Sequence, residues 1–261
     1  SIARKSEELL ETRATYLSAG VSIRKFLLVK PPESSLIDVR CASRANLLKR
    51  SPNSCSRTLS AGTHSGYISY VAVSVVPTRA KIIIIGGGVG GTSVAYHLAE
   101  LGEKDVILLD RNELTSGSTF HSAGLVGQLR ADPTLTLMNM HSVDLYRKLQ
   151  QTDTPPSWRE CGSIKLASTP ERMQEIRRQI GWAKTFGLDL KEISPKEAQD
   201  LFPLIDLEGV VGACYMASDG QVDPSQLAMA LAAGARRQGV QIFTHTRVLE
   251  IKTTNGRVSS V

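Results

Sequence analysis

Gly86, Gly88 and Gly91 stand in the order G-x-G-x-x-G inside Gly86-Gly-Gly-Val-Gly-Gly91, and Asp110 follows 19 residues beyond Gly91. Each residue type has a job in holding a dinucleotide. Gly86 permits a tight turn, and Gly88 lets the backbone approach a pyrophosphate. Gly91 lets a helix pack close to a strand, the N-terminus of that helix faces the phosphate charge, and Val89 and Gly90, between the glycines of the fingerprint, are expected to line the dinucleotide. A carboxylate at Asp110 can accept hydrogen bonds from ribose hydroxyls.

The elements needed to position these residues are legible around them. Lys81–Ile85 is a continuous β-branched apolar run, as expected for a central parallel strand covered on both faces. A helix over Thr92–Gly102 follows, and then a second strand, Asp105–Leu109, which delivers Leu109 and Asp110 to its end. Strand, glycines, helix, strand and acid in this order predict a dinucleotide-binding unit. A glycine-rich turn that binds nothing would not require the rest of the series.

The glycines do not choose between NAD and FAD. The next segment, Arg111–Leu125, is rich in small and hydroxyl residues, with little to bury. Its backbone N–H groups and hydroxyls suit a diphosphate and a flat ring, whereas an NAD-dependent Rossmann domain would usually go on here to its next helix and strand. At Leu114-Thr-Ser-Gly-Ser-Thr-Phe-His-Ser-Ala-Gly-Leu125 the chain resembles the sarcosine and dimethylglycine dehydrogenase family of D-amino-acid-oxidase-like flavoproteins. It departs at Phe120, where that family usually has Trp. The resemblance continues through Trp158–Ser163, Ser194-Pro195, Leu201–Leu204 and Asp219–Pro224, and so covers about residues 80–261.

The resemblance implies FAD, held covalently through His121. A neutral imidazole nitrogen is the nucleophile such a bond requires, and histidine has an ordinary pKa of ~6.5. It also implies that Gly117, Ser118, Thr119, Phe120, Ser122, Ala123, Gly124 and Leu125 line the cofactor, and that the backbone at Val248 meets the adenine. The reaction implied is oxidative N-demethylation of a small N-methyl amino acid, sarcosine or dimethylglycine, with electrons passed to an electron-transfer flavoprotein. Gln128-Leu-Arg130 is more like the sarcosine enzyme. Family members also carry a C-terminal region that takes tetrahydrofolate. A regulatory flavoprotein, like the pyruvate dehydrogenase phosphatase subunit, is the alternative; such relatives keep the loop without the histidine.

The fold class expected is α/β: a Rossmann-like, glutathione-reductase-like FAD domain with the start of an α+β substrate domain, incomplete at the C-terminus. Residues 160–222 contribute to the substrate domain, whose sheet roofs the flavin. Its parts read as a helix over Leu135–Gln150, a strand at Gly162–Ala167, a helix at Thr169–Phe186, a capping-box helix from Ser194 and a strand at Gly209–Met216. Pro224–Gly239 reads as a helix, followed by strands at Val240–Thr244 and Arg247–Thr253 that return to the FAD domain. The residues binding a substrate carboxylate are expected beyond Val261.

Charge separates a leader from this body. Residues 1–79 hold 12 Lys/Arg and 5 Asp/Glu, a net of +7, whereas the remainder holds 19 and 20, a net of −1. A nucleic-acid footprint would put the basic charge on the folded part. Between Val39 and Ala99 there is no acid, and Arg44–Ala61 mixes Arg, Lys, Ser and Leu. That is the composition of a transit peptide, and Arg57-Thr-Leu-Ser60 resembles an Arg-x-x-Ser processing site, so the mitochondrial matrix is the expected address. Cys41, Cys55, Cys161 and Cys214 show no metal-ligand or disulfide spacing, and no apolar run approaches the ~20 residues of a membrane span.

Overall fold

A computed structural model describes residues 75–261, together with the backbone of two short strands at residues 27–29 and 37–38. The transit-peptide segment Arg44–Ala61 lies outside the described residues. Strands β1 (Leu27–Val29) and β2 (Ile37–Asp38) fall in the segment read as a leader. The body begins with β3 (Arg79–Ala80) and β4 (Ile82–Ile85).

After β4 the chain turns into helix α1 (Val89–Glu100) and returns as β5 (Val106–Leu109), which pairs in parallel with β4 at Ile82↔Val106 and Ile85↔Leu109. The helix starts three residues earlier than the sequence suggests. Gly90 and Gly91 are poor helix formers, so propensity places the start at Thr92, but the main-chain N–H of Thr92 already bonds the Gly88 carbonyl at 3.0 Å. Helix α5 (Pro224–Arg237) leads into β11 (Gln241–Phe243), parallel to β5. With β1 antiparallel on the far side of β4, the sheet runs β1-β4-β5-β11.

The isoleucine run of β4 is buried because both faces are covered. Ile82 and Ile84, with Val106 and Leu108, pack under α1 and α5 through Ala95, Tyr96, Leu227 and Leu231. Ile83 and Ile85, with Ile107 and Leu109, face Phe243, Val248 and Val258 on the other side. Burying a side chain of this size contributes ~1.5–3 kcal/mol. A β-branched run with neither face in water therefore dominates the stability of this unit.

The second unit is antiparallel. After the 3₁₀ turn Ser118–His121 and the short β6 (Leu125–Val126), α2 (Pro133–Gln150) is capped by the Asp132 carboxylate, which accepts from the Leu135 N–H at 2.9 Å. Strands β7 (Ser163–Ala167), β8 (Leu190–Ile193) and β9 (Gly212–Met216) form a sheet in the order β7-β9-β8. Helix α3 (Pro170–Lys184) covers one face of it, where Ala167, Leu190, Cys214 and Met216 meet Met173 and Ile176. The alternate residues Ile164, Leu166 and Tyr215 point to the opposite face, with Ile164 opposite Tyr215 across the ladder. Helix α4 (Pro195–Leu201) has the capping box expected at Ser194: Glu197 N–H donates to the Ser194 hydroxyl, and Ser194 N–H donates to the Glu197 carboxylate.

Strand β10 (Gly220–Gln221) pairs with β6, and the hairpin β12 (Lys252–Thr254) to β13 (Arg257–Ser260) turns at Asn255-Gly256. The strand expected over Arg247–Thr253 does not form as read. Only Lys252–Thr254 is extended in a ladder, while Leu249 is 74% exposed. The chain here is drawn aside by main-chain bonds, His245 N–H to the Asn112 carbonyl and Thr246 N–H to the Asp110 carbonyl, and His245 sits at φ 51°. No strand lies alongside Arg247–Ile251 among the described residues.

No helix among the described residues is long and apolar enough to cross a membrane. Cys161 is exposed, while burial of Cys214 pushes its thiol pKa up. Iodoacetamide at mildly alkaline pH should therefore label Cys161 in the folded protein and reach Cys214 only after denaturation, as peptide mapping would show. The folded state holds the Cys214 proton more tightly. Its contribution to stability is therefore lost as pH rises past the free-thiol range of ~8.5.

Candidate functional site

The carboxyl ends of β4 and β5 bring the two halves of the fingerprint together. Gly86, at φ 111°, turns the chain out of β4, and its N–H bonds the Leu109 carbonyl at 2.8 Å. Helix geometry leaves the N–H groups of Val89, Gly90 and Gly91 without intrahelical acceptors at the positive end of α1. No acidic residue stands in that first turn. The half-buried Asp110 closes the floor: one carboxylate oxygen accepts Gly87 N–H at 2.6 Å, and the other accepts Asn112 N–H at 2.8 Å. Each oxygen retains a further lone pair for a ribose hydroxyl.

The loop that follows folds back over the glycines. Leu114 is buried against Gly87, and Thr115 N–H bonds the Gly87 carbonyl at 3.1 Å. Thr119, in the 3₁₀ turn, is buried, and its hydroxyl accepts Val89 N–H at 2.9 Å. Gly88 is the residue this needs, since a Cβ there would lie 2.9 Å from the Thr119 hydroxyl oxygen. Thr119 thus supplies from outside the helix the cap that Gly88 cannot, and its own proton is left to donate elsewhere. Replacing Thr119 by Val should lower the melting temperature by the equivalent of ~1 kcal/mol, the usual cost of a lost cap, in a thermal unfolding experiment.

From Thr119 outward the loop is open. Gly117, Ser118, Phe120, His121, Ser122, Ala123 and Leu125 are all exposed, with Phe120 at 69% and Leu125 at 79%. The His121 ring stands edge-on to Phe120, with centroids 5.2 Å apart. Two large apolar side chains and an imidazole left uncovered beside a helix N-terminus are the edge that a flat, partly apolar ring would cover. Gly124, at φ 71°, is buried, and its carbonyl accepts Val222 N–H at 2.9 Å. Val248 is half-buried against the face of β4 and β5 that carries Ile83 and Leu109.

The sequence reading missed what ties this loop to the antiparallel sheet. Asp219 is 4% exposed and accepts Gln128 N–H at 2.9 Å and the Ser163 hydroxyl at 2.7 Å. The only sequence signal was its place at the head of Asp219–Pro224, since contacts across 91 residues leave no periodicity.

The parallel βαβ unit, the glycine cradle and the acid at the end of β5 define an α/β dinucleotide-binding oxidoreductase domain joined to a second antiparallel unit. The model of the FAD dependent oxidoreductase (DAO) family matches residues 81–261, and the chain belongs to that family. It is 42% identical to the mitochondrial dimethylglycine dehydrogenase of Homo sapiens, over 67% of this chain and 20% of that protein. It is 37% identical to the mitochondrial pyruvate dehydrogenase phosphatase regulatory subunit of Mus musculus, over 71% and 21%. Against the mitochondrial sarcosine dehydrogenase of Homo sapiens it is 33% identical, over 75% and 22%. Among solved structures it resembles the L-proline dehydrogenase of P. horikoshii, with a TM-score of 0.63 and 29% identity, over 67% of this chain and 46% of that one. The chain spans about a fifth of the length of these curated relatives.

Proposed function

We propose that this chain forms the FAD-holding part of a mitochondrial matrix dehydrogenase that oxidatively demethylates a small N-methyl amino acid. The observation that carries the reading is His121, presented on the exposed 3₁₀ turn whose Thr119 accepts the first N–H of α1. The resemblance to the dimethylglycine and sarcosine enzymes supports the substrate class, and the Gln128-Leu-Arg130 segment inclines it toward sarcosine. The residues present fit FAD: a cradle of backbone donors, a half-buried carboxylate at the end of β5 bonded to the glycine turn, and an open apolar edge.

When bound, FAD supplies a two-electron acceptor for a hydride from the substrate's N-methyl carbon, leaving an iminium for water or tetrahydrofolate and electrons for an electron-transfer flavoprotein. The chain's own part is to bind and orient. Gly90 and Gly91 would donate main-chain N–H to the diphosphate, Ser118 and Thr119 would add hydroxyls, and Asp110 would accept from the ribose. The imidazole nitrogen of His121 would hold the ring covalently, and Phe120 and Leu125 would cover its edge. The sheet face carrying Ile164, Leu166 and Tyr215 closes the site from the other side and excludes water.

The test is acid precipitation of the full-length protein, followed by absorbance of pellet and supernatant and by turnover with sarcosine and with dimethylglycine. Yellow colour kept in the pellet and N-demethylation of either amine support the reading. Colour released to the supernatant would refute the covalent bond alone, and absence of flavin would refute the whole. Flavin without turnover of any N-methyl amine would favour a regulatory role.

A further inference from the structure

The loop that carries His121 reaches the antiparallel sheet through a very short connection. Strand β6 begins four residues after His121 and pairs with β10 over two residues, Gly220↔Val126 and Gln221↔Leu125. Gln221 in turn exchanges main-chain bonds with Arg159, at 2.8 and 2.9 Å, and Gly162 N–H bonds the Asp219 carbonyl at 2.8 Å just before β7 starts. A two-residue ladder holds orientation poorly by itself.

Asp219 supplies what the ladder lacks. One oxygen of its buried carboxylate accepts the main-chain N–H of Gln128 at 2.9 Å and the Gln128 side-chain amide at 3.3 Å. The other accepts the hydroxyl of Ser163, the first residue of β7, at 2.7 Å. The Gln128 amide is itself fixed, donating to the carbonyl and hydroxyl of Ser218 at 3.0 and 2.8 Å. A carboxylate is kept out of water only where donors satisfy its lone pairs, and here the donors come from both the segment after the His121 loop and the first residue of β7.

We propose that Asp219 is a positioning residue for the flavin, fixing the His121 loop against the sheet that closes the site. This rests on the flavin reading above. The carboxylate touches neither substrate nor ring. It acts through Gln128, seven residues after His121, and through Ser163, and so sets the distance between the imidazole and the face carrying Ile164 and Tyr215. Attachment at His121 would replace a hydrogen of a ring methyl group by an imidazole nitrogen, while two protons and two electrons pass to the flavin and on to its acceptor. This attachment and hydride transfer both depend on sub-ångström placement, so loosening this link lowers both. Cofactor affinity, set by the cradle at α1 and Asp110, is left almost untouched.

The experiment compares full-length parent, Asp219→Asn and Ser163→Ala proteins purified with their flavin. Total flavin per chain is measured after unfolding, the covalent fraction by acid precipitation, and the bound ring by visible circular dichroism. Asn leaves the acceptor for one partner and turns an amide N–H₂ toward the other, so it should cut the covalent fraction and kcat on the order of tenfold or more. Total flavin should stay within about twofold of the parent, and the visible dichroism should change. Ser163→Ala should move the same readouts in the same direction by less. A merely structural role would lower the melting temperature while the folded protein kept the parent's dichroism and covalent fraction, and that result overturns the proposal. If Asp219→Asn does not fold, Ser163→Ala decides by the same criteria. If the parent's flavin is not covalent, the dichroism and kcat decide. A parent without flavin overturns the functional reading and this inference with it, whereas flavin bound alike in all three proteins overturns this inference alone.

Discussion

Replacing Gly124 by Ala should destabilise the protein by about 3–5 kcal/mol and leave it unable to retain flavin. Gly124 sits at φ 71°, where an alanine costs ~1–2 kcal/mol on conformation alone. A Cβ there would also collide with the carbonyl oxygen of Val222, and that obstacle is backbone, not a side chain that can turn away. The two segments can separate only by breaking the bond from Val222 N–H to the Gly124 carbonyl and spreading β6 from β10. Each main-chain bond lost within the protein costs ~1 kcal/mol. Because His121 lies three residues before Gly124, the displacement falls on the residues that would grip the ring. Chemical denaturation would give the loss in stability, and flavin content after gel filtration the loss in binding. An Ala variant with the parent's midpoint and flavin content would contradict the placement of this loop.

The motif implies that Gly124 lines the cofactor with its neighbours, but its contact with Val222, 98 residues on, is a property of the fold. The βαβ unit was legible because its signals are local: an unbroken isoleucine run for β4, glycines at fixed offsets, and an acid at the end of β5. Helix caps at Thr169 and Ser194 were legible for the same reason, since a cap and its partner stand three residues apart. The helix start at Val89 was hidden because its cap, Thr119, comes from 30 residues downstream and overrides the poor propensity of Gly90 and Gly91. Asp219 and Gly124 belong to this second kind. Their roles depend on strands two residues long and on bonds between distant segments, which carry no period. The strand expected over Arg247–Thr253 fails because, among the described residues, no strand lies alongside Arg247–Ile251 to pair with it. His121 stands between the two cases. Its chemistry was suggested by a motif, while its exposure on a turn beside the α1 N-terminus is a property of the fold.

Asp110 separates cofactor affinity from cofactor attachment, and Asp110→Ala should weaken FAD binding on the order of a hundredfold. The measurement belongs in a His121→Ala background, where on the functional reading above the flavin is reversibly held and a Kd can be titrated by the quenching of its fluorescence. Two effects add. Loss of the carboxylate removes a charged acceptor for the ribose, worth ~1.5–3 kcal/mol. It also frees Gly87 N–H, now bonded at 2.6 Å, so the turn that shapes the phosphate cradle loses its tie to the end of β5. Asn at this position keeps one oxygen. It can satisfy Gly87 or Asn112 but not both, because its amide nitrogen meets a second donor. Asp110→Asn should therefore lie between parent and Ala in Kd. The same series with His121 intact should show nearly full flavin content, because a covalent bond, once formed, no longer depends on affinity. Equal Kd values for Asp, Asn and Ala would remove Asp110 from the site. A fall in flavin content with His121 intact as large as that without it would instead indicate that the bond to His121 does not form.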